Sequence, residues 1–192
     1  EMCIRDSSMS MDKRKSKVFF KGLKISVPDE IDPLNNKLNT FPIITKPING
    51  GSSNGIKIIK NKDELNKFIK KVGINLHRFI FEEYINGREI TVGIINNKVC
   101  GIMEIKFNSE LYDYNRKYVN VAEHITNPRL SKKIIDDLKK ASIDAHNAIG
   151  CNCVSRVDFR YDDKKKKIFL LEINTQPCLL YTSPSPRDRS SS

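Results

Sequence analysis

The feature that most constrains the fold is an apolar run near the end of the chain, IFLLEINTQP at residues 168–177. A lysine-rich turn precedes this run, so the pattern predicts a buried strand. Because side chains alternate along a strand, Glu172 and Asn174 share one face, whereas Leu171 and Ile173 take the other. Two oxygen donors side by side at the exit of an apolar strand suit a hard divalent cation such as Mg²⁺.

The preceding strand carries a second polar pair with the same spacing. Residues 152–161 predict a strand that contains Arg156 and Asp158. If the two strands form a hairpin, Asp158, Glu172 and Asn174 gather at one point, with Arg156 beside them. The alternative for either strand alone is a solvated strand end whose carboxylates face water.

Both ends of the chain have the character of translated DNA adaptor. Residues 178–184 can be encoded by TGT CTC TTA TAC ACA TCT CCG, and the reverse complement of that DNA encodes residues 1–6. We therefore expect residues 1–7 and 178–192 to be adaptor-derived, and we exclude them from the fold. The alternative is a genuine tail rich in serine and proline. The native part is then residues 8–177.

The net charge of +11 can indicate a nucleic-acid or other anionic partner. The lysines are scattered, however, and Lys, Asn and Ile all have A/T-rich codons, so a biased genome explains the excess.

No segment has the length of a membrane span and no signal peptide is credible, so we expect no membrane association. Outside the two ends, Cys100, Cys151 and Cys153 lack framework spacing, which indicates a reducing cytoplasm.

The first predicted element is a short basic helix at residues 11–22, which ends at Gly22. Lys13 and Lys17 stand four residues apart on one face of this helix, so either could point at an anion. A solvated helix face gives the same spacing. A short strand is predicted next, at residues 25–28, and an irregular segment follows it.

A glycine- and serine-rich loop, NGGSSNG at residues 49–55, separates a predicted strand at 41–47 from another at 56–60. The backbone N–H groups of such a loop can surround phosphate oxygens, and Lys46 would add a positive charge from the strand below. A P-loop is excluded, because the Lys-Ser/Thr pair is missing and a strand follows. A flexible hairpin without a ligand is the alternative.

Lys62–Val72 predicts an amphipathic helix, with Asn61 and Glu64 in a capping-box arrangement. A meander of three strands follows at residues 78–85, 88–96 and 98–106. Glu82 and Glu89 flank its first turn, where their carboxylates could accept hydrogen bonds from a ribose or an amino group. Ordinary surface glutamates would give the same pattern.

Residues 108–119 are polar and aromatic without a clear period, which is typical of a lid over a site or of a surface loop. Asn127-Pro128 then predicts the start of a long helix that runs to about Ile149, since Asn caps helices and Pro fits the first turn. His146 lies near the apolar stripe of this helix, so we expect its role to be structural.

Five segments stand in a recognisable order: MDKRKSK, ITKPINGGSSNG, FEEYINGREITVG, YDYNRKY, and SRVDFRYDD with LLEINTQP. In this order and with these gaps they resemble the D-alanine–D-alanine ligases of the ATP-grasp superfamily. The resemblance implies an α+β fold in which two α+β lobes with mostly antiparallel sheets hold ATP between them. It also implies that residues 8–86 form the central subdomain and residues 87–177 most of the C-terminal subdomain.

The resemblance implies which residues bind ATP and metal. Lys13 and Lys46 match the lysines that contact the phosphates. Glu82 and the backbone of Ile85 match the adenine-reading hinge, and Glu89 matches the ribose contact. The implied ligands of Mg²⁺ or Mn²⁺, with two ions expected, are Asp158, Glu172 and Asn174.

The resemblance also implies the catalytic groups. Arg156 matches the cation over the reacting carboxyl, and Lys117 in the lid matches the residue that reaches the terminal phosphate of ATP. Ser52 and Tyr118 match a pair that orders the substrate side of the site and closes the lid. The implied reaction joins two D-alanines through an acyl phosphate, with ATP, for peptidoglycan precursor synthesis.

The sequence departs from this family at several places. Gly50 replaces a residue that is usually not glycine, and Cys178 replaces the glycine expected after Pro177. We expect the N-terminal domain and the C-terminal end to be missing, so the chain as written should bind nucleotide poorly and turn over negligibly. The full-length protein is expected to be a cytoplasmic homodimer.

Two other functions are weighed against this one. The first is another carboxylate–amine or depsipeptide ligase of the same superfamily, because the acceptor pocket lies largely in the missing segments. The second, more remote, is a basic nucleic-acid-binding module. That module predicts clustered Lys and Arg with exposed aromatic residues on one sheet face, whereas this sequence has a tyrosine-rich loop instead.

Overall fold

The computed structural model describes residues 12–35, 37–49, 54–106 and 123–175. Helices pack on a three-stranded sheet of order β2-β1-β3 and on a five-stranded sheet of order β6-β5-β4-β7-β8, both antiparallel, which confirms the α+β class. None of the described helices has the length and apolar character that a membrane crossing requires. The elements are α1 Lys13–Gly22, β1 Ile43–Pro47, β2 Lys57–Ile59, α2 Lys62–Val72, a 3-10 helix Gly73–Arg78, β3 Phe79–Glu83, β4 Arg88–Ile95, β5 Lys98–Lys106, β6 Glu123–Thr126, α3 Lys132–Ala148, β7 Val154–Asp162 and β8 Lys167–Asn174.

The small sheet is covered on one face by α2, whose predicted bounds and cap are confirmed. Asn61 Oδ1 accepts a hydrogen bond from the Glu64 backbone N–H at 2.9 Å, and the Glu64 carboxylate accepts one from the Lys60 N–H at 3.0 Å. These bonds satisfy backbone donors that the first helical turn leaves without partners. The core between helix and sheet contains Ile43, Ile59, Leu65, Phe68 and Phe81.

The large sheet is covered on one face by α3, and α1 packs into the same core. Phe20 of α1 is fully buried together with Leu138 of α3 and Phe159 of β7. His146 is also buried, with Nδ1 2.7 Å from Ser155 Oγ, in agreement with the structural role expected for it. The first helix therefore belongs to the core of the large sheet by its apolar contacts.

The predicted start of α3 at Asn127-Pro128 is wrong. The helix begins at Lys132, where Ser131 Oγ accepts a hydrogen bond from the Ile134 N–H at 3.4 Å. Asn127 has a φ of 58°, which is the left-handed region and not the extended conformation of an N-cap. Serine and asparagine are both good caps, so the local sequence did not distinguish the two starts.

The predicted three-stranded meander is also wrong, because β3 and β4 lie in different sheets. The hairpin of β4 and β5 does form, and Asn96 and Asn97 in its turn have φ values of 48° and 60°, as a type I′ turn requires. The chain leaves the small sheet after Glu83 and enters the large sheet at Arg88. Alternation of apolar and polar residues identifies a strand, but it does not show which other strands pair with it.

Residues 25–31, here called the strap, cross from the edge of the large sheet to the edge of the small one. At one end the Leu170 N–H donates to Ser26 O at 2.8 Å, beside β8. At the other end the Glu83 N–H donates to Asp29 O at 3.0 Å, beside β3. The short strand predicted here is not formed, because the segment pairs with a different sheet at each end.

A second crossing, residues 84–87, also joins the sheets and ends at Gly87. A Cβ atom placed on Gly87 would lie 2.1 Å from the carbonyl oxygen of Tyr161 and 2.8 Å from its carbonyl carbon. Backbone atoms of a central strand cannot move aside as a side chain can. Glycine is therefore required where this crossing passes over β7.

We predict that Gly87→Ala lowers the free energy of unfolding by about 1–3 kcal/mol, since the added methyl group must displace the backbone of β7. Gly22→Ala is the matched control, because a Cβ on Gly22 meets no atom within 4 Å. That control should be neutral or stabilising, by up to about 1 kcal/mol. Urea unfolding of both variants measures the difference, and equal midpoints would contradict the steric argument.

Candidate functional site

The predicted hairpin of β7 and β8 forms and brings the two polar pairs together. Asp158 lies directly opposite Glu172, and Arg156 lies directly opposite Asn174. Val157, between the two polar residues of β7, is buried in the core under α3. Because side chains alternate, the four polar side chains lie on the other face of the large sheet.

Asp158 is the centre of this polar group. Its Oδ1 accepts hydrogen bonds from Thr91 Oγ1 at 2.7 Å and Arg156 Nε at 2.9 Å. Its Oδ2 accepts from Arg156 Nη2 at 2.9 Å and Asn174 Nδ2 at 3.1 Å. Thr91, which lies opposite Asp158 on β4, was not predicted, although its place two residues after Glu89 puts both on one strand face.

One part of the predicted alternation in β8 is wrong. Asp158 pairs with Glu172, but the next residue of β7 pairs with Leu170, so Leu171 is the extra residue of a β-bulge. Leu170 and Ile173 are therefore the buried core residues, and Leu171 is half-buried. The extra residue shifts the alternation of side chains only before Glu172. Glu172 and Asn174 therefore stay on their predicted face.

The donor set on this face fits a hard divalent cation. Two carboxylates directly opposite each other repel unless positive charge is near them. Here Arg156 pairs with Asp158, and Lys13 Nζ lies 3.9 Å from Glu172 Oε2. Within the described ranges, no group of three or more His, Cys, Asp or Glu side chains gathers. The donors offered to Mg²⁺ or Mn²⁺ are thus two carboxylates and the amide oxygen of Asn174.

Lys13 connects the glycine-rich loop to these carboxylates. Its backbone N–H donates to Ile48 O at 3.2 Å, just after β1 and before the loop. Its largely buried side chain reaches across to Glu172. Burial lowers the pKa of Lys13 and outweighs the opposing attraction of Glu172. Lys13 therefore joins the end of β1 in the small sheet to β8 in the large sheet.

A second charged group, here called the charged triad, consists of Lys17, Glu82 and Lys46. Lys17 Nζ donates to Glu82 Oε1 at 2.5 Å, and Lys46 Nζ lies 2.7 Å from Glu82 Oε2. The side chains of both lysines are 8% exposed and that of Glu82 is 3% exposed. The triad fastens α1 to β1 and β3, and a solvated face for Lys13 and Lys17 is excluded.

Glu82 keeps its full negative charge although it is buried in the protein. Burial alone would raise the pKa of Glu82, but the charges of Lys46 and Lys17 outweigh it and keep that pKa below its ordinary value. Burial lowers the pKa of Lys17 against the attraction of Glu82. Removing Glu82 would leave two buried ammonium groups without their counter-ion, which is among the most destabilising changes a protein can undergo.

Of the residues predicted for adenine and ribose, Ile85 lies in the second crossing, Glu82 in β3 before it and Glu89 in β4 after it. Glu89 lies opposite Arg160, and its Oε2 is 3.3 Å from Arg160 Nη2. Arg160 Nη1 also donates to Gly87 O at 2.8 Å, and Ile85 is buried within the crossing. Arg160 was not predicted from the sequence, although it stands two residues after Asp158 on β7.

Several predicted residues lie outside the described part of the chain. These are Ser52, Lys117 and Tyr118, together with Gly50 of the glycine-rich loop and the aromatic segment 108–119. Their roles stay predictions. Among the described residues, predicted site residues come together in two groups: Lys46 with Glu82, and Arg156, Asp158 and Asn174 with Glu172, which Lys13 also reaches. Glu89 pairs with Arg160 instead.

We predict that Glu82→Gln lowers the free energy of unfolding by about 3–5 kcal/mol at pH 7, because two buried lysines lose their counter-ion. The pKa of Glu82 is lowered from its ordinary 4.5, so this stability is present above about pH 4.5 and is lost as the pH falls through the native pKa. Urea unfolding at pH 7 and pH 3 should therefore give a smaller difference at the lower pH.

The control is Glu30→Gln, which removes a carboxylate from a half-exposed pair with Arg14. Exposed pairs contribute less than about 1 kcal/mol, so the control should unfold almost like the unaltered protein at both pH values. A Glu82→Gln protein that matched this control at pH 7 would contradict the charged triad.

Curated proteins of known function resemble this chain along nearly its whole length. The D-alanine–D-alanine ligase of Anaplasma marginale (strain Florida) is 34% identical over 191 residues, which are 95% of this chain and 57% of the relative. That of Pelagibacter ubique is 38% identical over 193 residues, 94% of this chain and 62% of the relative. The chain thus spans less than two thirds of the length of these relatives.

Solved structures and a family model agree with these relatives. The D-alanine–D-alanine ligase from Bacillus anthracis has a TM-score of 0.71 and 32% identity, covering 91% of this chain and 59% of that one. VanG D-Ala:D-Ser ligase from Enterococcus faecalis has a TM-score of 0.73 and 27% identity, covering 95% and 57%. The family model described as D-ala D-ala ligase C-terminus matches residues 16–191. The chain therefore belongs to the D-alanine–D-alanine ligase family, whose ATP-grasp fold it shares.

Proposed function

We propose that the protein carrying this chain joins two D-alanines in an ATP-dependent reaction that supplies peptidoglycan precursors. The observation that carries the proposal is the approach of Lys13 to Glu172, 3.9 Å apart, because it brings the cations of α1 and β1 up to the carboxylates of β7 and β8. A nucleoside triphosphate with divalent cations fits such opposed groups, because its phosphates are negative and the bound cations are positive.

ATP is proposed to lie between the two sheets. Lys13 and Lys46 would bind its phosphates, Glu82 and the backbone of Ile85 would bind adenine, and Glu89 would bind the ribose. The support is the placement of these residues on facing elements and the family's relation to a Bacillus anthracis ligase solved with ATP, which is 28% identical. Arg160 would then orient Glu89, since it holds that carboxylate and Gly87 O together.

Asp158, Glu172 and Asn174 are proposed to hold Mg²⁺ or Mn²⁺, with two ions expected. Bound there, the ions would neutralise the charge of the phosphoryl group during its transfer. Asp158 would exchange some of its present hydrogen bonds, from Arg156 and Asn174, for metal coordination. Thr91 would keep the carboxylate oriented, because its hydroxyl donates to Oδ1.

The residues of the chain divide the remaining work. A carboxylate is a poor electrophile, so transfer of the terminal phosphoryl group of ATP to the first D-alanine gives a reactive acyl phosphate. The amine of the second D-alanine attacks the carbonyl carbon of the acyl phosphate, and inorganic phosphate leaves. Arg156, which is partly exposed beside Asp158, would stabilise the developing oxyanion. Lys117 would contact the transferred phosphoryl group, and Ser52 and Tyr118 would order the substrate side and exclude water.

The remaining parts of the proposal concern the whole protein. We propose two subdomains, residues 8–86 and 87–177, in which α1 of the first contributes its apolar side to the core of the second. The ends at 1–7 and 178–192 are proposed to be adaptor-derived. The family match continues to residue 191, through the second of these ends. A cytoplasmic homodimer without a nucleic-acid partner is the proposed state of the full-length protein.

A second ligase function has specific support, because the VanG structure is named for D-serine as the second amino acid. The same ATP site would serve either reaction, since both begin with the carboxyl group of a D-alanine. The acceptor, another D-amino acid or a hydroxy acid, decides between them. The assay below therefore includes D-serine and D-lactate beside D-alanine.

We predict that Asp158→Asn and Glu172→Gln each lower turnover on the order of 100-fold or more, because each removes one charge from the metal donors. The assay measures phosphate release from ATP and D-alanine by the chain extended at both ends to the length of its relatives. Binding of Mn²⁺, followed by electron paramagnetic resonance, should weaken in the same variants.

Asp137→Asn is the control, because this carboxylate is exposed on α3, on the other side of the large sheet. It should leave turnover and Mn²⁺ binding unchanged. Full activity in the Asp158 and Glu172 variants would remove the metal assignment. Activity with D-serine or D-lactate but not with D-alanine would replace the proposed acceptor.

A further inference from the structure

Lys17 is a buried cation for which the proposed reaction has no use. Its ammonium group donates to Glu82 Oε1 at 2.5 Å and to Pro28 O at 2.7 Å. It therefore joins three parts of the molecule: α1, the strap and β3. A lysine is costly to bury, so this position requires that its contacts offset the loss of hydration.

The two lysines of the charged triad are not equivalent. Lys17 makes two hydrogen bonds with good geometry, one to a carboxylate and one to a backbone carbonyl. Lys46 Nζ lies 2.7 Å from Glu82 Oε2, and Glu82 is its ion-pair partner among the described residues. Lys17 is therefore tied to two separate elements, whereas the position of Lys46 depends on Glu82 alone among the described residues.

We propose that Lys17 is a positioning residue: it is the permanent counter-ion of Glu82 and thereby releases Lys46 to the nucleotide phosphates. This inference rests on the proposed ATP site. With Lys17 in place, the charge of Glu82 is balanced before nucleotide arrives, so Lys46 can turn to an incoming anion without leaving a bare carboxylate behind. Once Lys46 has turned away, Oε2 of Glu82 can accept a hydrogen bond from the amino group of adenine, because a carboxylate offers about four acceptor positions.

Without Lys17, the same carboxylate would hold Lys46 as its remaining partner. Two losses follow from this change. Phosphate binding weakens for any nucleoside triphosphate, because Lys46 stays with Glu82. Recognition of adenine also weakens, because Glu82 is no longer held by α1 and its Oε2 stays occupied by Lys46. The second loss affects only bases that carry an amino group at this position.

The test compares ATP with inosine triphosphate, which has the same phosphates and ribose but lacks the amino group. Binding of each, with Mg²⁺, is measured by calorimetry on the chain extended to the length of its relatives. Lys17→Met should weaken ATP binding about tenfold or more, and it should weaken inosine triphosphate binding less, so the preference for ATP falls. A merely structural loss would weaken both nucleotides equally.

The double variant Lys17→Met with Glu82→Met removes both the charge conflict and the acceptor for the adenine amino group, and it frees Lys46. Its affinity for inosine triphosphate should return toward that of the unaltered protein, while the preference for ATP stays lost. Lys140→Met is the matched control, because Lys140 pairs with Asp144 on the exposed side of α3. It should bind both nucleotides like the unaltered protein.

The outcomes separate this inference from the proposed function. If the unaltered protein binds neither nucleotide, the ATP site is wrong and the role of Lys17 falls with it. If the unaltered protein binds ATP and Lys17→Met binds it equally well, or loses both nucleotides to the same extent, only the role of Lys17 is overturned. If the double variant does not regain affinity for inosine triphosphate, the proposed release of Lys46 is also overturned.

Discussion

A carboxylate that is almost completely buried, Glu82, stays charged only because an ammonium group lies against each of its oxygens. The position of α1 depends on this balance, since Lys17 comes from that helix while Lys46 and Glu82 come from the small sheet. The same helix contributes Phe20 to the core of the large sheet. One electrostatic contact thus fastens the small sheet to an element whose apolar face belongs to the large one.

The charged triad and the polar group around Asp158 form two walls between the sheets, and these walls differ in charge and in exposure. The wall formed by the charged triad has one more positive than negative charge and is dry, whereas Asp158 and Glu172 face it with Arg156 as their nearest cation on the same sheet. The side chains of Glu172 and Arg156 are about one third exposed, at 34% and 38%. An anion is therefore favoured against the first wall and a cation against the second, which is the order of charges in a metal-bound triphosphate.

Much of the site followed from local patterns in the sequence. Alternation and turn residues were enough to place Asp158 opposite Glu172, because a hairpin of two neighbouring strands has few possible partners. The bounds of α2 followed from Asn61 and Glu64, whose capping bonds are local.

The predictions that failed depend on distant parts of the chain. The separation of β3 from β4 is decided by the crossing at Gly87, which packs on Tyr161 far along the chain. The bulge at Leu171 is a property of the pairing with β7 and not of β8 itself. Likewise, the burial of Lys17 depends on β3 and the strap, so its spacing in the helix did not distinguish a buried cation from a solvated one.

The strap and the second crossing have a joint consequence for motion. They run side by side from one sheet to the other, and the Glu83 N–H bonded to Asp29 O joins them where both meet the small sheet. Two adjacent tethers resist rotation of one sheet about the line between the sheets, because such rotation would lengthen one tether. Bending across both tethers lengthens neither. These two described connections therefore leave opening and closing of the sheets as a low-energy movement.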